Sequence, residues 1–428
     1  MSLWAHELRL FLRQRIAIPA LLLMAFLSAA SVWAGMAEIS RQREVIARIQ
    51  PQQAEDEAAV AAWVSEEGDP GNAAYYTFHA TWDAPSNLAF AAIGQRDVAP
   101  FVLRVRALAL ESQIHEGENY NAEMALPGRF DWSFVLIYLA PLFLIALLHD
   151  LVSGEREAGR MTLLGVMAHS ERGLWARRIM LRTSLLFAAL ALPFAAGAVL
   201  SGAGLMAIPV LGAAALYFVF WAVICILAGR AKLGSVANAA TLAACWLILT
   251  LVLPALALLA INSGIPVRQG VELTLAQREA VHAGWDKPKE ATMRAFFRHH
   301  PEWRDTAPVE GGFHWKWYYA FQHLGDLRVS SQARAYQAGL QARDLWTRRL
   351  GYVLPAVGAQ VAIHWLAETD LAAQLAYSGR IRAFHERLRR FYYPYIFNDR
   401  PFRRDDFDRA PRWVDRVGGA ARSQWPKA

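Results

Sequence analysis

The stretch SFVLIYLAPLFLIALLHDL, residues 133–151, carries no charged residue before Asp150. A helix needs roughly 20 apolar residues to cross a hydrocarbon core of about 30 Å, and this run has that length. Four more stretches resemble it, at about 16–36, 181–200, 205–228 and 236–262. Apolar residues make up 55% of the 428-residue chain, above the roughly 45–50% of soluble domains. The clumping predicts an all-α polytopic membrane protein with about five transmembrane helices and two helical extracytoplasmic segments.

The order of runs predicts the organisation. Residues 1–36 hold an N-terminal segment and the first crossing. In residues 2–15, Trp4, Leu8, Phe11 and Leu12 share one helical face. That pattern fits an amphipathic helix on the membrane surface, and equally a basic flank. The first apolar run exceeds the roughly 7–15 residues of a secretion-signal core, so it reads as an uncleaved helix. Residues 37–132 form the first extracytoplasmic segment, helical with an expected break at Pro51. Residues 133–262 hold crossings two to five, with a charged loop at 152–180. Residues 263–428 form a C-terminal extracytoplasmic domain. Within it, LGYVLPAVGAQVAIHWLA at 350–367 has no charge. It reads either as a sixth crossing or as a buried outer helix, and its Pro355, Gln360 and His364 favour the latter.

Arginine and lysine set the orientation. Arg9, Arg13 and Arg15 precede the first crossing, Arg156, Arg160, Arg172, Arg177, Arg178 and Arg182 crowd the 152–182 region, and Arg230 and Lys232 fill a short loop. With five crossings these fall on one side, which the positive-inside rule makes cytoplasmic. The N-terminus is then cytoplasmic and the C-terminal domain periplasmic. The net charge of +7 is explained by these loops, and no nucleic-acid reading motif accompanies it. Cys225 and Cys245 lie in apolar runs and read as small buried hydrophobes, with no disulfide or zinc spacing.

The charged loop, HDLVSGEREAGRMTLLGVMAHSERGLWARRIM (149–180), interrupts the apolar runs. Charges hold such a segment at the surface, while Met161, Leu163, Leu164 and Met167 supply apolar side chains that can enter a partner's groove. This stretch resembles the E-x-E-x-G-T-hydrophobic-x-x-Leu-Leu pattern of ABC-2 type transporter permeases. Glu155, Glu157, Gly159, Leu163 and Leu164 match. Arg160 stands where Thr is usual, and Ala168 where Pro is usual. Segments 86–108, 126–151, 313–326 and 367–377 are similar to a subgroup with large periplasmic segments, related to multicopper-enzyme maturation permeases. Such permeases have six crossings, the last near the C-terminus, whereas no apolar run follows residue 367 here.

The resemblance implies a permease subunit in the bacterial inner membrane, moving an unknown substrate with a separate ABC ATPase. It implies a second permease copy or paralogue, lipid contact, and an ATPase-coupling segment made of Glu155, Arg156, Glu157, Gly159, Arg160, Met161, Leu163 and Leu164. The chain has no G-x-x-x-x-G-K-[ST] phosphate cradle, so ATP and Mg are expected on the partner, with no cofactor here. The alternative is a membrane-anchored assembly or maturation factor whose periplasmic domain binds a client. An enzyme ranks third, because no nucleophile–base or metal constellation is visible. His299 and His300 point apart on a helix, and His364 and Glu368 lack a third ligand. Asp326, Arg343, Asp344, Arg348 and Arg349 read as a salt-bridged helix surface.

Overall fold

The computed structural model describes residues 3–63, 68–114, 129–167, 170–267 and 270–415. Residues 126–128, Ala168, the Met167 side chain and the chain beyond Asp415 lie outside the described residues. The helices are α1 (Leu3–Leu12), α2 (Ala17–Trp63), α3 (Pro70–Tyr76), α4 (Trp132–Glu157), α5 (Met161–Met167), α6 (Glu171–Leu200), α7 (Gly204–Arg230) and α8 (Ser235–Gly264). They continue with α9 (Gly270–His282), α10 (Lys289–His299), α11 (Trp315–Gly351), α12 (Pro355–Ala367) and α13 (Leu371–Phe397).

Helices α2, α4, α6, α7 and α8 are long and apolar enough to cross a membrane, and the chain is a membrane protein. Their inward faces form one core that includes Leu186, Leu190, Phe194, Val210, Tyr217 and Trp221. Outward faces carry exposed Leu192, Leu216 and Leu256, which lipid would cover at no cost. Helices α2 and α6 pack most closely. A Cβ on Gly197 would meet Val32 at 2.5 Å, so only glycine fits there. The Ser28 hydroxyl adds a bond of 2.7 Å to the Leu190 carbonyl.

The second core is aromatic and forms a head at one end of the bundle. Phe296, Tyr319, Phe384, Tyr392 and Phe397 are fully buried there, beside Ala73, Val105 and Leu110. Residues from 37–132 and from 263–428 therefore share one core. Each buried ring contributes roughly 1.5–3 kcal/mol.

Three expectations need correction. The first outer segment is not wholly helical. Strands β1 (His79–Trp82) and β2 (Val102–Val105) pair antiparallel, with His79 opposite Val105 and Trp82 opposite Val102. Short runs of aromatic and β-branched residues suit a pleated surface better than a helix.

Second, α2 runs unbroken for 47 residues, about 70 Å, through the 36/37 boundary and through Pro51. An interior proline forfeits one backbone bond and clashes with the preceding turn. Tertiary bonds hold the helix on course: Gln53, two residues on, accepts from Ala80 N–H at 2.8 Å and donates to the Phe78 carbonyl.

Third, α12 is neither a crossing nor part of the head core. Its 13 residues span about 20 Å, too short for the hydrocarbon layer. Ala356, Ala359, Ile363 and Ala367 join the core of the apolar bundle, and Val357 and Val361 pack with Ile261 of α8.

Candidate functional site

The bundle end opposite the head gathers α1, the start of α6, the α7–α8 turn and the 153–167 segment. Glu155 is the centre of this end. One carboxylate oxygen accepts from Arg160 Nε at 2.6 Å, the other from Arg178 Nη1 at 3.0 Å. Arg178 also donates to Glu7 of α1 at 3.1 Å, and both side chains are nearly buried. The result is a chain of alternating charges, Glu7–Arg178–Glu155–Arg160, that joins α1, α6 and the loop. Arg182, one turn beyond Arg178, donates to the Leu147 carbonyl and stacks its guanidinium 5.6 Å from the buried Phe11 ring. Arginine suits such sites because its fork serves several acceptors at once.

Glu157 grips the other side. Its carboxylate accepts from Ser235 N–H at 2.7 Å and from the Ser235 hydroxyl at 2.8 Å. It therefore caps the start of α8, where backbone N–H groups lack helical partners. Arg156 reaches the Ala231 carbonyl at 3.4 Å. Gly159 ends this short helical stretch at φ +68, a left-handed conformation that glycine adopts without strain. Arg160 N–H then closes back on the Glu155 carbonyl at 2.9 Å.

Beyond Gly159 the chain starts α5. Leu163 is 58% exposed and Val166 82%, while Met161 and Leu164 are half-buried. The eight residues singled out from sequence therefore divide. Glu155, Arg156, Glu157, Gly159 and Arg160 shape and fasten the loop. Leu163 forms the free apolar surface together with Val166, which the sequence reading passed over. Glu7, Arg178 and Ser235 were also missed as partners. Glu7 had a signal: it is the one acid in α1, a turn before the buried Phe11.

Glu155→Gln is expected to loosen the loop without unfolding the bundle. Partly exposed ion pairs contribute about 1 kcal/mol. Amide exchange over 153–164 should rise roughly fivefold, with the melting temperature nearly unchanged. Unchanged exchange would mean that the clamp does not order the loop.

Among the described residues, no group of three or more His, Cys, Asp or Glu is placed to hold a metal. His299 is exposed, while His300 faces Glu302 at 2.9 Å and His323 at 3.3 Å. The family described as "Domain of unknown function (DUF3526)" matches residues 271–414, which run from α9 to the end of the head. No curated protein and no solved structure matches the chain.

Proposed function

We propose that this chain is the permease subunit of an ABC-2 type transporter, paired with a second permease copy or paralogue and driven by a separate ABC ATPase. The basic end of the bundle lies in the cytoplasm of a bacterial cell, the helices cross the inner membrane, and the head stands in the periplasm. One observation carries this reading: a short helix with exposed Leu163 and Val166 follows a loop that ion pairs tie to α1 and α6 and hydrogen bonds tie to α8. An apolar surface so placed suits docking into a partner's groove, and the rigid clamp suits passing a partner's motion to the bundle. The sequence holds no G-x-x-x-x-G-K-[ST] phosphate cradle, which supports assigning the nucleotide chemistry to that partner.

A second reading has its own support. Trp63, Tyr76, Trp285 and Phe313 are each about half exposed on the head and linked through neighbouring rings. Exposed aromatics of this kind favour a client-binding factor.

Capture from gently solubilised membranes separates the two readings. The chain should retain an ATPase subunit, and Leu163→Asp with Val166→Asp should lower its recovery more than tenfold while the bundle stays intact. If neither form retains an ATPase, the head-binding reading replaces the transporter.

A further inference from the structure

Strand β1 turns two polar side chains toward α13, since alternate residues of a strand share a face. Thr81 is used on both sides: its hydroxyl donates to the Leu103 carbonyl at 2.9 Å and meets the Tyr377 hydroxyl at 3.0 Å. His79 is 4% exposed, yet half of its ring is unused. Its Nε2 lies 3.1 Å from the Tyr392 hydroxyl. Its Nδ1 has no partner among the described residues and is not sealed in the core. The ring lines a cleft of about 220 Å³ between α2, β1, α13 and residues 411–413. A polar atom this deep without a partner is costly and calls for a reason.

The neighbours fix which proton the imidazole carries. The Thr77 hydroxyl donates to the Ala73 carbonyl at 2.7 Å, so it accepts from the Tyr392 hydroxyl beside it. The Tyr392 oxygen then accepts from His79 Nε2–H, and Nδ1 is left as a bare acceptor. Burial keeps the ring neutral, which preserves that lone pair. Adjoining polar groups are committed elsewhere. Gln53 accepts from Ala80 N–H and donates to the Phe78 carbonyl and to Glu57. Trp413 Nε1 donates to the Trp82 carbonyl at 2.9 Å. The rings of Trp82, Phe384 and Trp413 line the cleft with Pro411 and Ala54. Arg412 and Glu57 add opposite charges, so the lining has no net charge to draw an ion.

We propose that this cleft binds a small neutral aromatic ring bearing a hydrogen-bond donor, of the phenol class. The ring lies among Trp82, Phe384 and Trp413, and its hydroxyl donates to His79 Nδ1. The size suits one ring: a cavity of about 150 Å³ takes up benzene, and the larger volume here leaves room for the hydroxyl and a substituent. Aromatic walls favour an aromatic guest, which packs on them offset or edge-to-face. A carboxylate or carbonyl oxygen in the same place would face the His79 lone pair and be repelled. The cleft is separate from the exposed Trp63, Tyr76, Trp285 and Phe313, none of which lines it. The proposal rests on neither reading of the function.

The test is a fluorine NMR titration of the full chain in lipid nanodiscs. The probes are para-fluorophenol and para-fluoroanisole, whose methyl ether has no donor. The phenol is expected to bind at least tenfold tighter than the ether, because the ether leaves Nδ1 unpaired. His79→Phe keeps a ring and removes the acceptor, and should weaken the phenol at least tenfold while leaving the ether unchanged. Ala54→Trp, a change at an exposed position of α2, should fill the cleft and abolish phenol binding. Gel filtration shows whether His79→Phe folds. If it does not, Ala54→Trp decides the location and the ether decides the donor. Phenol uptake no greater than that of empty nanodiscs would leave the cleft to water and overturn the site. Equal affinity for phenol and ether would overturn the bond to His79. Binding that survives Ala54→Trp would put the phenol elsewhere and overturn the proposal as well.

Discussion

Arg389→Met is expected to destabilise the head by about 3–5 kcal/mol, the usual cost of removing one partner from a buried ion pair. Arg389 on α13 and Asp326 on α11 are both buried and meet at 2.6 Å. Arg389 also donates to the Leu108 carbonyl at 2.8 Å. Asp326 accepts from Leu110 N–H at 2.9 Å, from Glu111 N–H at 3.2 Å, and from the Gln277 amide of α9. This pair therefore ties the segment after β2 to three helices of the C-terminal region. Methionine fills similar space but leaves the carboxylate buried without its counter-charge. Replacing both, as Asp326→Leu with Arg389→Met, removes the stranded charge and should cost less than the sum of the single changes. Thermal unfolding of the purified protein, followed by tryptophan fluorescence, measures all three. A double variant as unstable as the summed singles would show that the two groups do not act as a pair.

The sequence made the five long apolar helices legible because length and composition alone determine whether a helix is apolar enough for hydrocarbon. It also marked the 153–167 segment, since charge between apolar runs has few other uses. What it hid depends on distance along the chain. Asp326 looked like a member of an exposed charged face, along with Asp344 and Arg348, because sequence displays only helical neighbours. Its real partner lies 63 residues away and both are buried. Glu155 looked like a contact for another protein, yet its nearest partners are Arg160 and Arg178, the second 23 residues on. Pro51 looked like a stop, because propensity counts the lost backbone bond but not the side-chain bonds of Gln53 that keep the helix going. For α12, an uncharged run of crossing length turned out to be shared between the end of α11, a turn and a 13-residue helix. The DUF3526 match covers the C-terminal region alone, so the arrangement of the bundle and its charged end stands on the chemistry of the residues.

Mild acid should unfold the head while leaving the apolar bundle standing. Burial holds three of its histidines neutral. It lowers the His79 imidazole to about 4. Burial, with Arg389 and other histidines nearby, lowers His323 to about 2. Burial and Arg389 hold His385 well below its usual range. Each ring spends a nitrogen inside the core: His79 on the Tyr392 hydroxyl at 3.1 Å, His323 on the Tyr393 hydroxyl at 3.2 Å, His385 on the Leu108 carbonyl at 2.8 Å. The unfolded chain binds protons at these groups near pH 6.5, and the folded head does not. Between about 6.5 and the lowered values the unfolded state therefore holds more protons, and stability rises with pH. The contribution is complete above 6.5 and is lost as the pH falls. Each such group costs ~1.4 kcal/mol per pH unit. At pH 5, His79 and His323 together remove about 4 kcal/mol, comparable to the whole stability of a modest domain. The head's melting temperature should drop steeply between pH 6.5 and 5, and His323→Phe should flatten that slope by about one proton's share. A melting temperature constant from pH 7 to pH 5 would mean that the three rings reach water in the folded head.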